Sequence, residues 1–275
     1  IMSMKISVII PTYKPQAYLW ECLDSLVAQT FSKEDFEVIL VLNGCTEPWK
    51  SRIQEYIATK MNGMNVKFIH TEQGGVSNAR NLALNAVEGD YLTFVDDDDF
   101  LSPNTLLRLS EASNITCVTI FKPLAFYDET HDFFFYARTK EFEKYKDNGQ
   151  VFFWKVRKIF GGPVMKLFPC QIIGERRFNL AFKNGEDSLF MFLISDRMIY
   201  VNFASDDAIY YRRIRHNSAT TTNKTFMDVF KNSIKLSFEY SKIYGRNMRE
   251  YKLGFYITRL LGCVRAVLNY KNVTF

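Results

Sequence analysis

The sequence predicts an α/β fold: a mostly parallel central sheet flanked by helices and followed by a C-terminal helical extension. Three features of the chain point there. Short β-branched runs alternate with stretches of helical periodicity over the first third, the pattern of a parallel sheet covered by helices. The fourth such run ends in four consecutive aspartates, Asp96, Asp97, Asp98 and Asp99, at the carboxyl edge where open α/β sheets bind ligands. Beyond Thr222 the periodicity is helical throughout.

In chain order, residues 6–10 read as a buried strand. Past Pro11 and Pro15, Leu19, Cys22, Leu23, Leu26 and Val27 recur at helical spacing, so residues 16–29 are expected to form a helix with one buried stripe. Residues 37–42 are the second strand, Trp49, Ile53, Tyr56 and Ile57 mark the second helix, and residues 66–70 the third strand. Ala79, Leu82, Ala83, Ala86 and Val87 give a third helix, and residues 91–95 the fourth strand. Ser102 is expected to cap the next helix, with Pro103 at its first position. Residues 116–168, rich in aromatic and β-branched side chains, predict mixed strands and short helices with turns at 147–149 and 161–163. A helix through Leu189, Phe190, Phe192 and Leu193 follows Asn184 and Gly185, and strands are expected around 199–203 and 208–211. Two helices close the chain. One runs through Phe226, Val229, Phe230, Ile234 and Phe238, the other through Leu253, Tyr256, Ile257, Leu260 and Leu261, with a break near Gly245.

A length of 275 residues accommodates a main domain over 4–222 and an extension over 223–275. At 47% hydrophobic and 24% charged residues the chain can bury a full core, which excludes a disordered chain. The net charge of +5 is modest, and no basic run interleaves with aromatics, so nucleic acid is not expected as a partner. Such mild basicity suits phosphate-bearing ligands or an anionic membrane surface. Five cysteines lie far apart and in odd number, which points to a reducing compartment. No basic segment followed by an apolar stretch precedes the first strand, so no secretory leader is expected in these residues, and a cytoplasmic location follows. The apolar stretch 253–268 is interrupted by Arg259 and Arg265 and falls short of the roughly 20 residues of a spanning helix.

The aspartate run is the sharpest chemical feature. Four adjacent carboxylates at a strand end repel one another, and a hard divalent cation, Mn2+ or Mg2+, neutralises them through oxygen ligands. A solvated acidic turn before a helix is the plainer alternative. Tyr13 at the exit of the first strand can stack on a base or pack, and Asn43 at the exit of the second can pair with a base edge or simply make a turn. Glu186 and Asp187 open a helix, where the dipole alone favours acids, or where one can act as a general base. Arg213, Arg215 and His216 lie in an expected loop, the cations suited to a diphosphate and the imidazole to a metal.

In order and spacing these segments resemble the inverting nucleotide-diphospho-sugar glycosyltransferases of family 2, which have the GT-A fold. The likeness runs through Ser7-Val-Ile-Ile-Pro-Thr-Tyr13, Cys22-Leu-Asp-Ser-Leu-Val-Ala-Gln-Thr30, Gly75-Val-Ser-Asn-Ala-Arg-Asn81 and Phe94-Val-Asp-Asp-Asp-Asp99. Lys166-Leu-Phe168, Arg177-Phe178, Gly185-Glu-Asp187 and Tyr211-Arg-Arg-Ile-Arg-His-Asn-Ser218 complete it. The resemblance implies that Asp187 is the catalytic base, with Glu186 beside it contacting acceptor or donor sugar. It implies that Pro11, Tyr13, Asn43, Arg80, Asp96, Asp97, Asp99, Arg213 and Arg215 bind the nucleotide-sugar, and that Asp98, Asp96 and His216 serve the metal. Arg80 is equally readable as half of a structural salt bridge. Asn43 departs from the aspartate that the family usually has there. Lys166 belongs to a motif without an assigned role. The implied reaction moves a sugar from a nucleotide-diphosphate donor, UDP-sugar favoured, to a hydroxyl of a saccharide or lipid-linked saccharide in surface polysaccharide synthesis. A metal-dependent nucleotidyltransferase or phosphatase, and a catalytically silent relative, are the competing classes. For the C-terminal helices three roles stand open: packing on the main domain, binding another subunit, or resting on a membrane surface.

Overall fold

A computed structural model describes residues 5–215 and 225–270. Its first half is an uninterrupted alternation: β1 (Ile6–Thr12), α1 (Ala17–Val27), β2 (Phe36–Asn43), α2 (Trp49–Lys60), β3 (Asn65–Thr71), α3 (Val76–Ala86) and β4 (Tyr91–Phe94). β1, β2 and β4 are buried along their whole lengths, as expected of strands covered on both faces. Leu19, Cys22, Leu23 and Leu26 form the buried stripe of α1. Small residues, Ala79 and Ala83, lie on the buried face of α3 and let it approach the sheet closely.

The second half supplies β5 (Phe100–Leu101), α4 (Thr105–Ala112), β6 (Val118–Ile120), β7 (Lys122–Tyr127), β8 (Phe133–Phe134), α5 (Ala137–Tyr145), β9 (Val151–Phe152) and β10 (Lys166–Pro169). Then come α6 (Cys170–Ile173), α7 (Glu186–Leu193), β11 (Tyr200–Phe203), β12 (Ile209–Ile214), α8 (Phe226–Arg246) and α9 (Leu253–Leu268). The main sheet has the order β3-β2-β1-β4-β10-β6-β11-β9. Only β10 and β9 run against the others, so the sheet is mostly parallel. A smaller sheet, β5-β12-β7-β8, sits beyond the aspartate run.

Two expectations are corrected. Ser102 does not cap α4, whose first turn is preceded by Asn104 without a side-chain cap. Instead the Ser102 hydroxyl donates to the Asp207 carbonyl (2.6 Å) and accepts from the Ile209 N–H (2.9 Å), because the pairing of β5 with β12 draws it into the sheet edge. The strand expected at 208–211 extends to Ile214, so Arg213 is a strand residue rather than a loop one. Its extra length is paired in parallel with β7.

The C-terminal helices lie against α7. Leu236, Tyr240, Ile243, Tyr251, Phe255 and Cys263 join the same continuous core as the main sheet. Tyr251 donates to the Leu193 carbonyl (2.8 Å) and Phe192 is flanked by the rings of Tyr240, Tyr251 and Phe255. Among the described residues no helix is long and apolar enough to cross a membrane.

Candidate active site

An open cleft of about 1140 Å3 lies at the carboxyl ends of β1, β2 and β4. β1 exits through Pro11, Thr12 and Tyr13, and β2 through Asn43 and Gly44. Gly44 has a left-handed φ of 67°, and a Cβ on it would stand 2.8 Å from the Gly74 Cα, so only glycine lets the β2 exit meet the loop before α3. Asn43 is buried; its Nδ2 donates to the Thr12 carbonyl (2.8 Å) and its Oδ1 accepts from the Gly75 N–H (2.9 Å). Its amide therefore laces three loop exits together at the cleft wall. Tyr13 is 52% exposed at the cleft rim, with Lys14 Nζ 5.3 Å from the ring centroid; an exposed aromatic ring of this kind is one on which a planar base can stack.

The aspartates divide by environment. Asp97 accepts from the Thr12 hydroxyl (2.5 Å), and burial pushes its carboxyl up to about 7. Asp99 is buried, accepts from the Arg213 N–H (2.8 Å) and hydrogen-bonds the Tyr210 hydroxyl; burial, then the charges of Asp98 and Asp96, raise it well above the usual carboxylate range. Asp98 is raised by burial and by Asp96, with the Arg215 guanidinium opposing. Asp96 and Asp98 keep 40% and 21% of their side chains exposed in the cleft.

The far wall is the N-terminus of α7. Gly185 precedes it with a φ of 83°, and a Cβ there would lie 2.6 Å from Leu236 Cδ1. Glu186 and Asp187 follow, both lining the cleft. Arg80, only 3% exposed, reaches between the two walls from α3: its Nη1 donates to Asp187 Oδ1 (2.5 Å) and its Nη2 to Asp96 Oδ1 (3.0 Å). The ring of Phe178 packs against this guanidinium at 5.3 Å. Burial raises the Asp187 carboxyl, and Arg80 counters that rise. The strand-end acids and Asp187 thus face one cavity across a single cation.

Arg213 and Arg215 both line the cleft and are engaged in different ways. Arg213 is buried, donating through Nε to the Asp98 carbonyl (2.8 Å) and through its terminal nitrogens to Asp128 and Glu21. A guanidinium so committed braces the aspartate loop. Arg215 pairs with Asp98 and lies 4.5 Å over the Tyr18 ring, at the cleft itself. His216 lies outside the described residues, as do Asn217 and Ser218.

Lys166, whose role the sequence left blank, is fully buried on β10 and donates to the carbonyls of Gly162 and Val164 (both 2.9 Å). Burial lowers its ammonium well below the usual lysine range. It fixes the turn whose Gly162 lies beside Asp187. The Gly161–Pro163 turn signal and the isolated lysine were visible separately; their contact was not. Arg138, also at the cleft, had no sequence signal.

Among the described residues no group of three His, Cys, Asp or Glu side chains converges on one point. Asp96 and Asp98 nevertheless present two hard oxygen donors to the cleft. That set fits Mg2+ or Mn2+, ions commonly bound by one or two carboxylates with substrate phosphates completing the shell.

The sequence matches the model of the family described as "Glycosyl transferase family 2" over residues 7–175. A curated relative, poly(ribitol-phosphate) beta-N-acetylglucosaminyltransferase TarS of Staphylococcus aureus, is 29% identical over 242 residues, 83% of this chain and 39% of that protein. The chain spans about a third of the length of the first curated relatives it matches. A crystal structure of an S. aureus TarS fragment in complex with UDP-GlcNAc superposes with a TM-score of 0.69 at 24% identity, covering 96% of this chain and 82% of that one. The mannosyltransferase PcManGT from Pyrobaculum calidifontis, in complex with GDP-Man and Mn2+, gives 0.60 at 14% identity, covering 98% and 73%. These likenesses carry the fold, and the GT-A architecture expected from the sequence is the one present.

Proposed function

This chain belongs to glycosyl transferase family 2, and on that premise we propose that it transfers a sugar, with inversion, from a nucleotide-diphosphate donor to an acceptor hydroxyl. The observation that supports the reading is the Arg80 bridge, one guanidinium holding both Asp187 and Asp96 at the same cleft. Asp187 takes the proton of the acceptor hydroxyl through the oxygen that Arg80 leaves open. The acceptor oxygen then forms its bond to the anomeric carbon as the bond to the diphosphate breaks, and the electron pair leaves with the diphosphate. Attack from the far side inverts the anomeric configuration. Glu186 contacts acceptor or donor sugar beside the base.

Asp96 and Asp98 would hold the Mn2+ or Mg2+, which when bound neutralises charge on the departing diphosphate. Tyr13 offers its face to the base, Pro11 and Asn43 shape the floor beneath it, and Asp97 and Asp99 stiffen the loop that presents the donor. Arg215 sits where a guanidinium can exchange Asp98 for a phosphate oxygen. Positioning and charge neutralisation supply most of the rate. The UDP-GlcNAc and GDP-Man ligands of the structural neighbours support a nucleotide-sugar donor, with UDP-sugar first. The acceptor in this reading is a saccharide or lipid-linked saccharide in surface polysaccharide synthesis, on the cytoplasmic side; the TarS relative, named for a poly(ribitol-phosphate) acceptor, supports a polymer acceptor and no more.

The test pairs Asp187→Asn with a panel of nucleotide sugars. Nucleoside diphosphate release and glycosylated product disappear in the variant, while calorimetry finds donor affinity within about twofold. A variant that still turns over removes Asp187 from the role of base.

A further inference from the structure

The α8–α9 hairpin has two faces of opposite commitment. Its inner face is fixed to the protein: Tyr240 donates to the Ser188 hydroxyl (2.8 Å), Arg259 Nη1 donates to the same oxygen (3.0 Å), and Leu236 rests on Gly185. Its outer face is apolar and open. Phe230, Ile234 and Phe238 recur every fourth residue along α8 with exposures of 40, 55 and 68%. Ile257, Leu261 and Leu268, four and then seven residues apart along α9, are exposed at 45, 49 and 75%. Apolar side chains exposed in this number on two packed helices of a folded chain mark an interaction surface.

Charge identifies what fits it. Residues 225–270 hold eight Lys and Arg against three Asp and Glu, an excess of five, while the rest of the chain holds 27 of each. The entire positive balance of the protein therefore sits on the hairpin. On α8, Lys231, Lys235 and Lys242 are exposed on the flank of the apolar stripe, and Arg246, Arg249 and Lys252 cluster at the turn between the helices. Helices with an apolar stripe beside a basic flank, and not both long and apolar enough to span, lie in the plane of a bilayer interface with the basic groups at anionic headgroups.

We propose that the α8–α9 hairpin docks this protein on an anionic lipid bilayer. The surface is separate from the cleft, and the inference does not depend on which reaction the cleft performs.

The test is sedimentation with vesicles of phosphatidylglycerol and phosphatidylcholine, against phosphatidylcholine alone, using the whole chain. Partitioning is expected to be about tenfold stronger on the anionic vesicles and to weaken with salt. Ile234→Glu with Leu261→Glu abolishes it, and Lys231→Glu with Lys235→Glu reduces it, both variants keeping the wild-type thermal transition because these side chains are exposed. Donor turnover measured on the same samples without vesicles stays unchanged, so a failure of docking and a failure of the transferase reading separate cleanly. Absent partitioning, or partitioning equal on both vesicle types, overturns the proposal. So does a concentration-dependent dimer in light scattering that Ile234→Glu with Leu261→Glu dissolves while vesicles capture nothing, which would assign the face to a second copy.

Discussion

Replacing Arg80 by methionine tests the bridge most directly, since the side chain keeps its length and loses its charge. Two carboxylates, Asp96 and Asp187, would then share a cavity without their common cation. Removing one partner of a buried pair costs about 3–5 kcal/mol. Here the acids retain 40% and 35% exposure, so water takes up part of the load and the expected loss of stability is about 2 kcal/mol. The catalytic effect has its own magnitude. At an effective dielectric near 20, opposite charges about 4 Å apart attract by about 4 kcal/mol, and halving this for solvent screening leaves about 2 kcal/mol.

The sign follows from the opposing causes at Asp187. Burial raises its carboxyl and Arg80 holds it down, so without the guanidinium the base stays protonated to higher pH. The rising limb of kcat/KM against pH, which reports the free enzyme, is expected to move up in Arg80→Met and to return most of the way in Arg80→Lys. A folded Arg80→Met variant whose limb stays at the wild-type position refutes the assignment of Asp187 as base under Arg80 control.

Three other perturbations have defined outcomes. Asp98→Ala should abolish the manganese dependence of donor binding; a titration in which Mn2+ still strengthens binding as in the wild type rejects Asp98 as a metal ligand. Lys166→Met removes the donor to the Gly162 and Val164 carbonyls, at about 1–3 kcal/mol each, so chemical denaturation should show a loss of about 2–6 kcal/mol. Glu37 is buried, which alone would raise its carboxyl, yet bonds from Lys67, Ser7 and the Glu88 N–H hold it below the ordinary value. A depressed carboxylate stabilises the fold above the unfolded value of about 4.3 and loses that contribution as pH falls through the folded one. Glu37→Gln should therefore lower the melting temperature at neutral pH and flatten its decline in acid; parallel melting curves across that range would contradict this.

Much of this architecture is legible in the chain because its signals are local. The strand-helix alternation up to β4, the aspartate run and the Glu186–Asp187 pair each occupy a few adjacent residues, and period or charge alone exposes them. What escaped the sequence depends on distance. Arg80 and Asp187 are separated by 107 positions, and nothing within α3 shows that its one buried cation faces two acids. The commitment of Arg213 to Glu21 and Asp128 needed the pairing of β12 with β7, and a strand edge of that kind reads as a loop when its residues are charged. Asn43 looked like a group free to read a base because its partners, Thr12 and Gly75, belong to different exits. The buried and open faces of α8 are equally apolar in sequence, so periodicity located the helix without telling which stripe meets the core.

The seating of Leu236 on Gly185 and of Tyr240 on Ser188 has a consequence for chimaeras. Exchanging the last two helices among related enzymes is an obvious route to re-addressing one of them to a new location. In this chain such a graft would also replace the buttress behind Asp187, the proposed base. Positions 185 and 188 therefore have to travel with the graft, or the recipient gains a new address and loses its register.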